Sequence, residues 1–165
     1  MKCVLSTNQQ ESQMDKAIAI IPNRFNPSEF IGDSWKTVSI KKRTRSESLT
    51  ELDLTNVHLV TMLKDSECLI IGYEKIKRLR ASGYIRLDAD VFFTLWENKA
   101  LIPELWKEEV NGNIRHIYFD GTDIQYSVGG HYVLYLFWKG GVWNWNVNWL
   151  GHDLDASSLS AVLVA

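Results

Sequence analysis

The chain has 165 residues and a net charge of −2 at pH 7, and 45% of its residues are hydrophobic. These values fit one domain with a hydrophobic core, and they exclude global disorder and general electrostatic binding of nucleic acid. No apolar run reaches the roughly 18 residues of a membrane helix and no signal-peptide core follows Met1, so we expect a cytoplasmic location, with export left open.

Charge and aromatic residues are unevenly distributed. Residues 1–86 hold 14 of the 18 Lys and Arg and 10 of the 20 Asp and Glu, which gives a net charge of +4 against −6 for the remainder. Six of the seven tryptophans follow residue 95, and four of them lie within 138–149. Because tryptophans are large and usually have a structural or binding role, the C-terminal third is the most informative part.

The N-terminal segment, residues 1–28, is predicted to be a flexible tail because most of it is polar and aperiodic. The short apolar run 17–21 within it either belongs to the tail or forms a strand at the edge of the domain. A single domain is predicted over residues 29–165. Residues 37–40 alternate with the period of a strand, and one or two further strands are predicted between Leu52 and Leu63.

A basic loop, residues 41–46, follows the first predicted strand. It is interpreted either as a contact for phosphate or an acidic partner, or as a solvated linker. Cys68 is the second of only two cysteines, which excludes a disulfide framework, and its apolar neighbours predict that it is a small buried residue.

Two helices are predicted next. The first covers 72–82, with Gly83 placed to end it in the left-handed conformation. The second covers 88–98, with Asp88 as N-cap and an apolar stripe that includes Phe92. A short turn follows at 103–108. Its Leu105 and Trp106 are expected to face inward, and Trp96 and Trp106 are interpreted as core residues.

The remainder is predicted to be β structure. Residues 114–119 form a strand, Asp120-Gly121 and Gly129-Gly130 form turns, and the apolar residues 159–165 form a last strand inserted within a sheet. The whole pattern therefore predicts an α+β domain in which two helices pack on antiparallel strands.

A hairpin over residues 131–149 is the most specific prediction. Two β-prone runs flank Gly140-Gly141, and two adjacent glycines suit a tight turn with positive φ at both positions. Pairing across that turn places one set of side chains on a single face: Tyr132, Leu134, Leu136, Trp138, Trp143, Trp145, Val147 and Trp149. The opposite face carries Val133, Tyr135, Phe137, Asn144, Asn146 and Asn148.

This division predicts a rigid platform. Asparagine is a poor strand former, so three asparagines at alternate positions of one face do not favour stability. Burying each large apolar side chain stabilises a fold by roughly 1.5–3 kcal/mol, so the tryptophan face could anchor the ribbon whatever stands at 144, 146 and 148. Two alternatives stay open: tryptophans exposed to stack on sugars, and a plain strand that happens to be rich in asparagine.

The sequence resembles a group of small uncharacterised bacterial proteins over about residues 30–165. The resemblance rests on the following stretches: Phe30-Ile31-Gly32, residues 49–55, Ile85-Arg86-Leu87-Asp88-Ala89, residues 94–98, Leu101-Ile102-Pro103-Glu104, Trp106-Lys107, Phe119-Asp120-Gly121-Thr122, Trp143-x-Trp145, Trp149-Leu150 and Ser160-Ala161-Val162-Leu163. Leu154 and Leu159 stand where an aromatic residue and a proline are usual in this group.

The tail of the chain is similar to the variable region of proteins diversified by retroelements, in which a reverse transcriptase copies a template with errors at adenines. Asparagine codons are rich in adenine and the tryptophan codon has none, so such copying changes asparagines and spares tryptophans. The resemblance implies a C-type-lectin-like fold, a variable region at about 131–165, and ligand binding through the variable face. The diversified positions would be Asn144, Asn146, Val147, Asn148, Gly151, His152, Ser157 and Ser158, with Tyr135, Phe137, Lys139 and Val142 as further candidates.

The sequence carries none of the common signatures of catalysis. The chain has no phosphate-binding glycine loop and no zinc-protease or serine-hydrolase motif, so we predict no catalytic residue, no metal and no cofactor. His152 and Asp155 could form half of a metal site, and the aspartates 120, 123, 153 and 155 could supply oxygen ligands to calcium, or these residues could be a solvated polar loop.

Three functions were therefore considered. The first is a non-enzymatic binding protein whose contacts are Tyr135, Phe137, Asn144, Asn146, Asn148, His152 and Ser157, with a protein surface or a glycan as ligand. The second is a carbohydrate-binding module with exposed tryptophans. The third is a hydrolase that brings Asp120, His116 and His152 together in a cleft. The sequence leaves the oligomeric state open.

Overall fold

A computed structural model describes residues 17–37 and 49–164 of the chain. Within them, the chain forms three α-helices and eleven strands, and the last five strands follow one another without a helix between them. The helices are α1 (Pro27–Phe30), α2 (Gly72–Ser82) and α3 (Ala89–Glu97). The strands are β1 (Ala17–Ala19), β2 (Trp35–Thr37), β3 (Glu51–Asp53), β4 (His58–Val60), β5 (Ile70–Ile71), β6 (Ile85–Arg86), β7 (His116–Tyr126), β8 (His131–Lys139), β9 (Val142–Trp149), β10 (Asp153–Leu154) and β11 (Ser158–Leu163).

The central sheet has the order β4-β11-β7-β8-β9, with β2 and β6 paired to β7 and β11. The predicted α+β class is confirmed. The predicted antiparallel sheet needs one correction, because β11 pairs in parallel with β7. After β9 the chain passes through the short strand β10 and crosses to the side of β7 that lies away from β8. It therefore runs through β11 in the same direction as β7. As predicted, the apolar C-terminal strand lies inside the sheet, between β4 and β7.

Two hydrophobic clusters cover opposite faces of this sheet. Phe92 and Leu95 of α3 pack on one face together with Leu134 and Leu136, and Leu79 of α2 packs on the other with its own set of strand residues. Neighbouring residues of one strand alternate between the two clusters, as the pleat requires. The helices therefore sandwich the sheet rather than sharing one face.

Both long helices match their predictions. Asp88 caps α3, with Oδ1 accepting hydrogen bonds from the backbone N–H groups of Asp90 and Val91 at 3.1 Å each. Gly83 ends α2 with φ of 79°. The predicted turn at 103–108 is a 3-10 helix, Glu104–Lys107, in which Trp106 is buried but Leu105 is 67% exposed. The inward orientation predicted for Leu105 was therefore wrong.

Of the two possibilities left open for the apolar run 17–21, the structure shows the strand, because β1 pairs with β3. Ile18, Ile20 and Phe25 are buried in the cluster that contains α3, so the prediction of a tail was wrong for the remaining residues up to 28. Asp90 fixes this segment, because its carboxylate accepts hydrogen bonds from the N–H groups of Asn23 and Phe25 at 2.9 Å. Residues 1–16 lie outside the described residues, as do residues 38–40 of the predicted strand and the basic loop 41–46.

Two local predictions also failed. Asp120-Gly121 is not a turn, because β7 continues through it to Tyr126 with a register shift between Phe119 and Ile124. Cys68 is exposed rather than buried. In the described ranges the longest α-helix has 11 residues, and none has the length and apolar composition that a membrane-spanning helix requires.

Candidate recognition surface

The C-terminal hairpin forms in the predicted register. Strands β8 and β9 pair from Tyr132 with Trp149 to Lys139 with Val142. Gly140 and Gly141 have φ of 65° and 75°, so both occupy the left-handed region that this two-residue turn requires. The division of side chains into two faces therefore follows the prediction.

The tryptophan face packs against the interior. Trp143 is 7% exposed, and Trp138 and Trp145 are partly buried against the cluster that contains α3. The Trp145 ring lies 4.7 Å from that of Phe30, between centroids, and the Trp138 ring lies 5.4 Å from that of Trp143. These contacts anchor β9, the edge strand, to the helical layer beneath it.

Trp149 departs from the scaffold role predicted for all four tryptophans. It is 41% exposed, at the point where β9 ends. Its indole covers Gly151 so closely that a Cβ there would lie 2.3 Å from the ring. The ring also meets the edge of His152, with centroids 5.3 Å apart and planes at 82°. Trp149 is thus a positioned but accessible ring.

An aromatic row crosses the opposite face, formed by His116 and Tyr118 of β7 with Tyr135 and Phe137 of β8. The Tyr135 ring lies 4.8 Å from that of His116, 5.0 Å from that of Tyr118 and 5.6 Å from that of Phe137. Tyr118 is buried under α2, as is Val133 at the same end of the hairpin. Only the end nearer the Gly140-Gly141 turn, with His116, Tyr135 and Phe137, is partly accessible.

The three asparagines make local hydrogen bonds beside this row. The Asn144 amide donates to the carbonyl oxygens of Lys139 and Val142 at 3.2 and 3.1 Å. Asn146 is exposed, and its Oδ1 accepts from the N–H of Val147 at 2.8 Å. Asn148 is half-buried, and its Oδ1 lies 2.8 Å from Nδ1 of His152. Each of these bonds stays within the hairpin and the loop that follows it.

The loop after β9 is bound to the start of α2. The N–H groups of Gly72 and Tyr73 donate to the carbonyl oxygens of His152 and Leu150 at 3.0 and 2.9 Å, which satisfies amides that a helix N-terminus leaves free. This contact is possible because residue 72 is glycine, since a Cβ there would lie 2.6 Å from the Leu150 oxygen. His152 is exposed on this loop, as a contact residue must be.

Ser157 does not fit its predicted role as a contact residue. It is 6% exposed, and its N–H and hydroxyl both donate to Oδ1 of Asp155. Its backbone carbonyl accepts from the N–H of His116 at 2.8 Å. Ser157 therefore closes the turn that leads into β11, and its side chain is unavailable to a ligand.

The accessible part of the aromatic row is uncharged at neutral pH. Burial lowers the pKa of His116 below its ordinary value, and the nearby Asp155 carboxylate opposes that shift only in part. Burial also raises the pKa of Tyr135. The Asp155 carboxylate keeps its charge, because hydrogen bonds from Ser157 lower its pKa. Contacts here would rely on shape, aromatic area and neutral hydrogen bonds.

The residues of the hydrolase hypothesis do not come together. Asp120 is buried within the sheet, where its carboxylate accepts a hydrogen bond from Ser160. His116 stands four positions before it on the same strand, about 13 Å away at the rise of an extended chain. His152 is bonded to Asn148 instead. Within the described ranges no three potential metal ligands are grouped.

His116 and Tyr118 are the members of the aromatic row that the sequence did not place beside the hairpin. In the structure Tyr118 stands opposite Tyr135, which puts His116 beside Phe137. The strand containing them was predicted, but its register with β8 depends on the irregularity between Phe119 and Ile124. Because the pairing shifts there, the partner of each residue cannot be found by counting outward from the connection, as it can from the Gly140-Gly141 turn.

The chain matches no protein-family model, and neither the curated proteins nor the solved structures give a significant match.

Proposed function

We propose that this protein is a non-enzymatic binding protein that presents a diversified recognition surface on a tryptophan-anchored hairpin. One observation carries the proposal: adjacent residues of β9 alternate between a face that packs on the interior, at Trp143 and Trp145, and a face whose amides bond only locally, at Asn144 and Asn146. A strand built in this way can change on one face while the other holds it in place.

The proposal includes a C-type-lectin-like fold. Its support is the order of the elements, in which β4 is followed by α2 and α3 and then by the run β7-β8-β9. The last strand, β11, returns to pair with β4. Strands, two helices and a C-terminal run of strands form the order that fits the resemblance of this chain to retroelement-diversified proteins.

A protein surface is the proposed ligand. Rigid aromatic side chains give large contact area at low entropic cost, and amides add adaptable hydrogen bonds, a combination that antibody loops also use. The contact residues are Tyr135, Phe137, Asn144, Asn146, Asn148 and His152, to which we add His116 and Trp149. Ser157 is removed because its side chain is buried.

The carbohydrate alternative has less support. It requires tryptophans free to stack on sugar rings, but Trp143 and Trp145 are used by the interior packing. Trp149 alone among the four is exposed enough to serve. A glycan remains an outcome of the binding experiment below.

Two matched libraries test the proposal. One randomises residues 144, 146 and 148, and the control randomises residues 143, 145 and 147 on the same strand. In display on a cell surface, we expect most members of the first library and few of the second to resist protease. Selection of the first library against a panel of folded proteins should give binders that compete with one another. Equal loss of folding in both libraries, or binders only to glycans, would contradict the proposal.

The coding DNA gives an independent test of diversification. A near-copy of the segment that encodes residues 131–165, differing at adenines and adjacent to a reverse transcriptase gene, is the expected finding. A genome that lacks this arrangement would remove the retroelement from the proposal and leave a fixed binding surface.

A further inference from the structure

Strand β9 lies at the edge of the central sheet, and no strand within the described residues pairs with its outer side. The N–H of Val147 bonds the side chain of Asn146 instead of β8, so the main-chain groups of Val147 point outward. Alternate residues of an antiparallel strand direct these groups to the same side, so Trp143 and Trp145 share this direction. A row of main-chain donors and acceptors therefore faces away from the sheet.

This edge lacks the features that usually prevent pairing. Natural edge strands are protected by charged side chains, prolines, bulges or short length. β9 has eight residues, contains neither a charged residue nor a proline, and pairs with β8 without a register shift. Asn146 caps the N–H of Val147 and the N–H of His152 bonds the carbonyl of Trp149, so the main-chain groups of Trp143 and Trp145 are the ones that a further strand would pair with.

The sequence of the edge is nearly the same in both directions. About Asn146, the residues on either side are Trp145 and Val147, then Asn144 and Asn148, then Trp143 and Trp149. If two copies pair in antiparallel orientation about this centre, amides face amides on one side of the sheet and large apolar side chains face each other on the other side. No like charges are brought together.

We propose that a second copy of this chain pairs with it through β9, with Asn146 opposite Asn146 on the two-fold axis. In this register each Trp145 stands opposite Val147 of the second copy, and each such pair exchanges two main-chain hydrogen bonds. The Trp149 carbonyl already accepts from His152, so the outer pair with Trp143 contributes less. On pairing, the N–H of Val147 gives up its hydrogen bond to the Asn146 side chain and donates to a main-chain carbonyl of the second copy.

A second copy fits this edge better than a strand of another protein. The near-palindrome serves only a partner with the same sequence, and a two-fold pairing of one patch with itself closes as a dimer rather than extending as a fibre. Main-chain pairing also tolerates many side chains at 144, 146 and 148. The dimer places two aromatic rows and six asparagines on one continuous sheet, so each copy contributes residues to a joint surface.

Cysteine crosslinking tests the register. In a background with Cys3 and Cys68 replaced by serine, Asn146→Cys places two Cα atoms about 4.5 Å apart on the axis, within the range of a disulfide. The control Asn144→Cys separates its two copies by about 13 Å along the strands. We expect N146C to form a disulfide-linked dimer under mild oxidation, and N144C to stay mostly monomeric on non-reducing gels. Equal crosslinking of both variants, or none at N146C, would overturn the register.

Solution mass tests the dimer itself. Light scattering after size exclusion should give the unmodified chain twice its 19.0 kDa mass at concentrations of about 100 µM. Asn146→Lys sets like charges opposite each other and should weaken the dimer at least about tenfold, while Asn146→Ser should leave it largely intact. A monomer at every concentration, an open-ended assembly, or equal behaviour of the lysine and serine variants would overturn the proposal.

Discussion

The two faces of the C-terminal hairpin are made by the same two strands, yet they lie in different surroundings. On one face Leu134, Leu136 and Trp143 are fully enclosed by the helical layer. On the other, Asn144 and Asn146 keep only hydrogen bonds within the hairpin. Because side chains alternate along a strand, enclosed and accessible side chains are immediate neighbours in the sequence. The loss of folding stability caused by a substitution should therefore change sharply from one residue to the next.

Trp143→Ala should be the most damaging change on the hairpin. Removing a buried tryptophan leaves a cavity beside Trp138, and such changes cost about 3–5 kcal/mol of unfolding free energy. Urea denaturation followed by circular dichroism measures this loss. Asn144→Ala, one residue away, is the matched control and should cost less than about 1 kcal/mol, since only exposed hydrogen bonds are lost. Similar losses for the two variants would contradict the division of the faces.

The face of the hairpin that carries the asparagines is not accessible to solvent along its whole length, because α2 covers the part of the sheet around Tyr118. Lys75 of α2 is 1% exposed, its ammonium donates to the carbonyl of Ser158 at 2.9 Å, and it lies 5.1 Å from the centre of the Tyr118 ring. Burial lowers the pKa of Lys75 to about 8 and raises that of Asp120, and the attraction between the two groups opposes both shifts.

Lys75→Met should therefore cost about 3 kcal/mol, because it removes the stronger of the two positive charges, Lys75 and Arg86, that act on the buried Asp120 carboxylate. The double variant with Asp120→Asn should recover at least half of that loss, as measured by urea denaturation at pH 7. A neutral Lys75→Met would mean that the Asp120 carboxylate does not depend on the Lys75 charge.

Trp149→Ala sharpens the comparison because it truncates an exposed tryptophan of the hairpin instead of a buried one. Because this ring is 41% exposed, its loss should cost only about 1 kcal/mol, against several for Trp143. Differential scanning calorimetry of the two variants makes the comparison directly. A loss as large as that of Trp143→Ala would return Trp149 to the scaffold and take it out of the proposed contact surface.

The parts of the fold that could be predicted from sequence are those with local signals. Asp88 and Gly83 mark helix ends by their own hydrogen bonding and backbone conformation. Gly140-Gly141 fixes a turn, and pairing can be counted outward from it without further information. The two faces of the hairpin follow from that count alone.

The predictions that were wrong concern residues whose structure depends on contacts with segments that are distant in the sequence. Gly121 was predicted in a turn, but it lies in β7. A glycine is needed there because the Arg86–Leu87 backbone passes so close that a Cβ would stand 2.6 Å from the Arg86 carbonyl oxygen. Residues 17–28 looked like a tail because Asp90, which fixes them, lies more than sixty positions away. Trp149 matches the other tryptophans in pattern, and only the loop beyond it decides its exposure.

The smallest expected effect concerns His116 at the accessible end of the aromatic row. Its neighbours there are Tyr135, Phe137 and Asp155. Because burial lowers the pKa of His116, the unfolded chain binds the proton first as pH falls below about 6.5, and folding stability is lost from there toward the folded-state pKa.

His116→Phe keeps the ring contacts and removes this titration. The unfolding free energy of the natural chain should therefore fall relative to the variant by less than about 0.5 kcal/mol between pH 7 and pH 5, a small value because the imidazole is half-exposed. Paired urea titrations at the two pH values measure the difference. A natural chain that gains stability relative to the variant on acidification would mean that Asp155, not burial, controls this histidine.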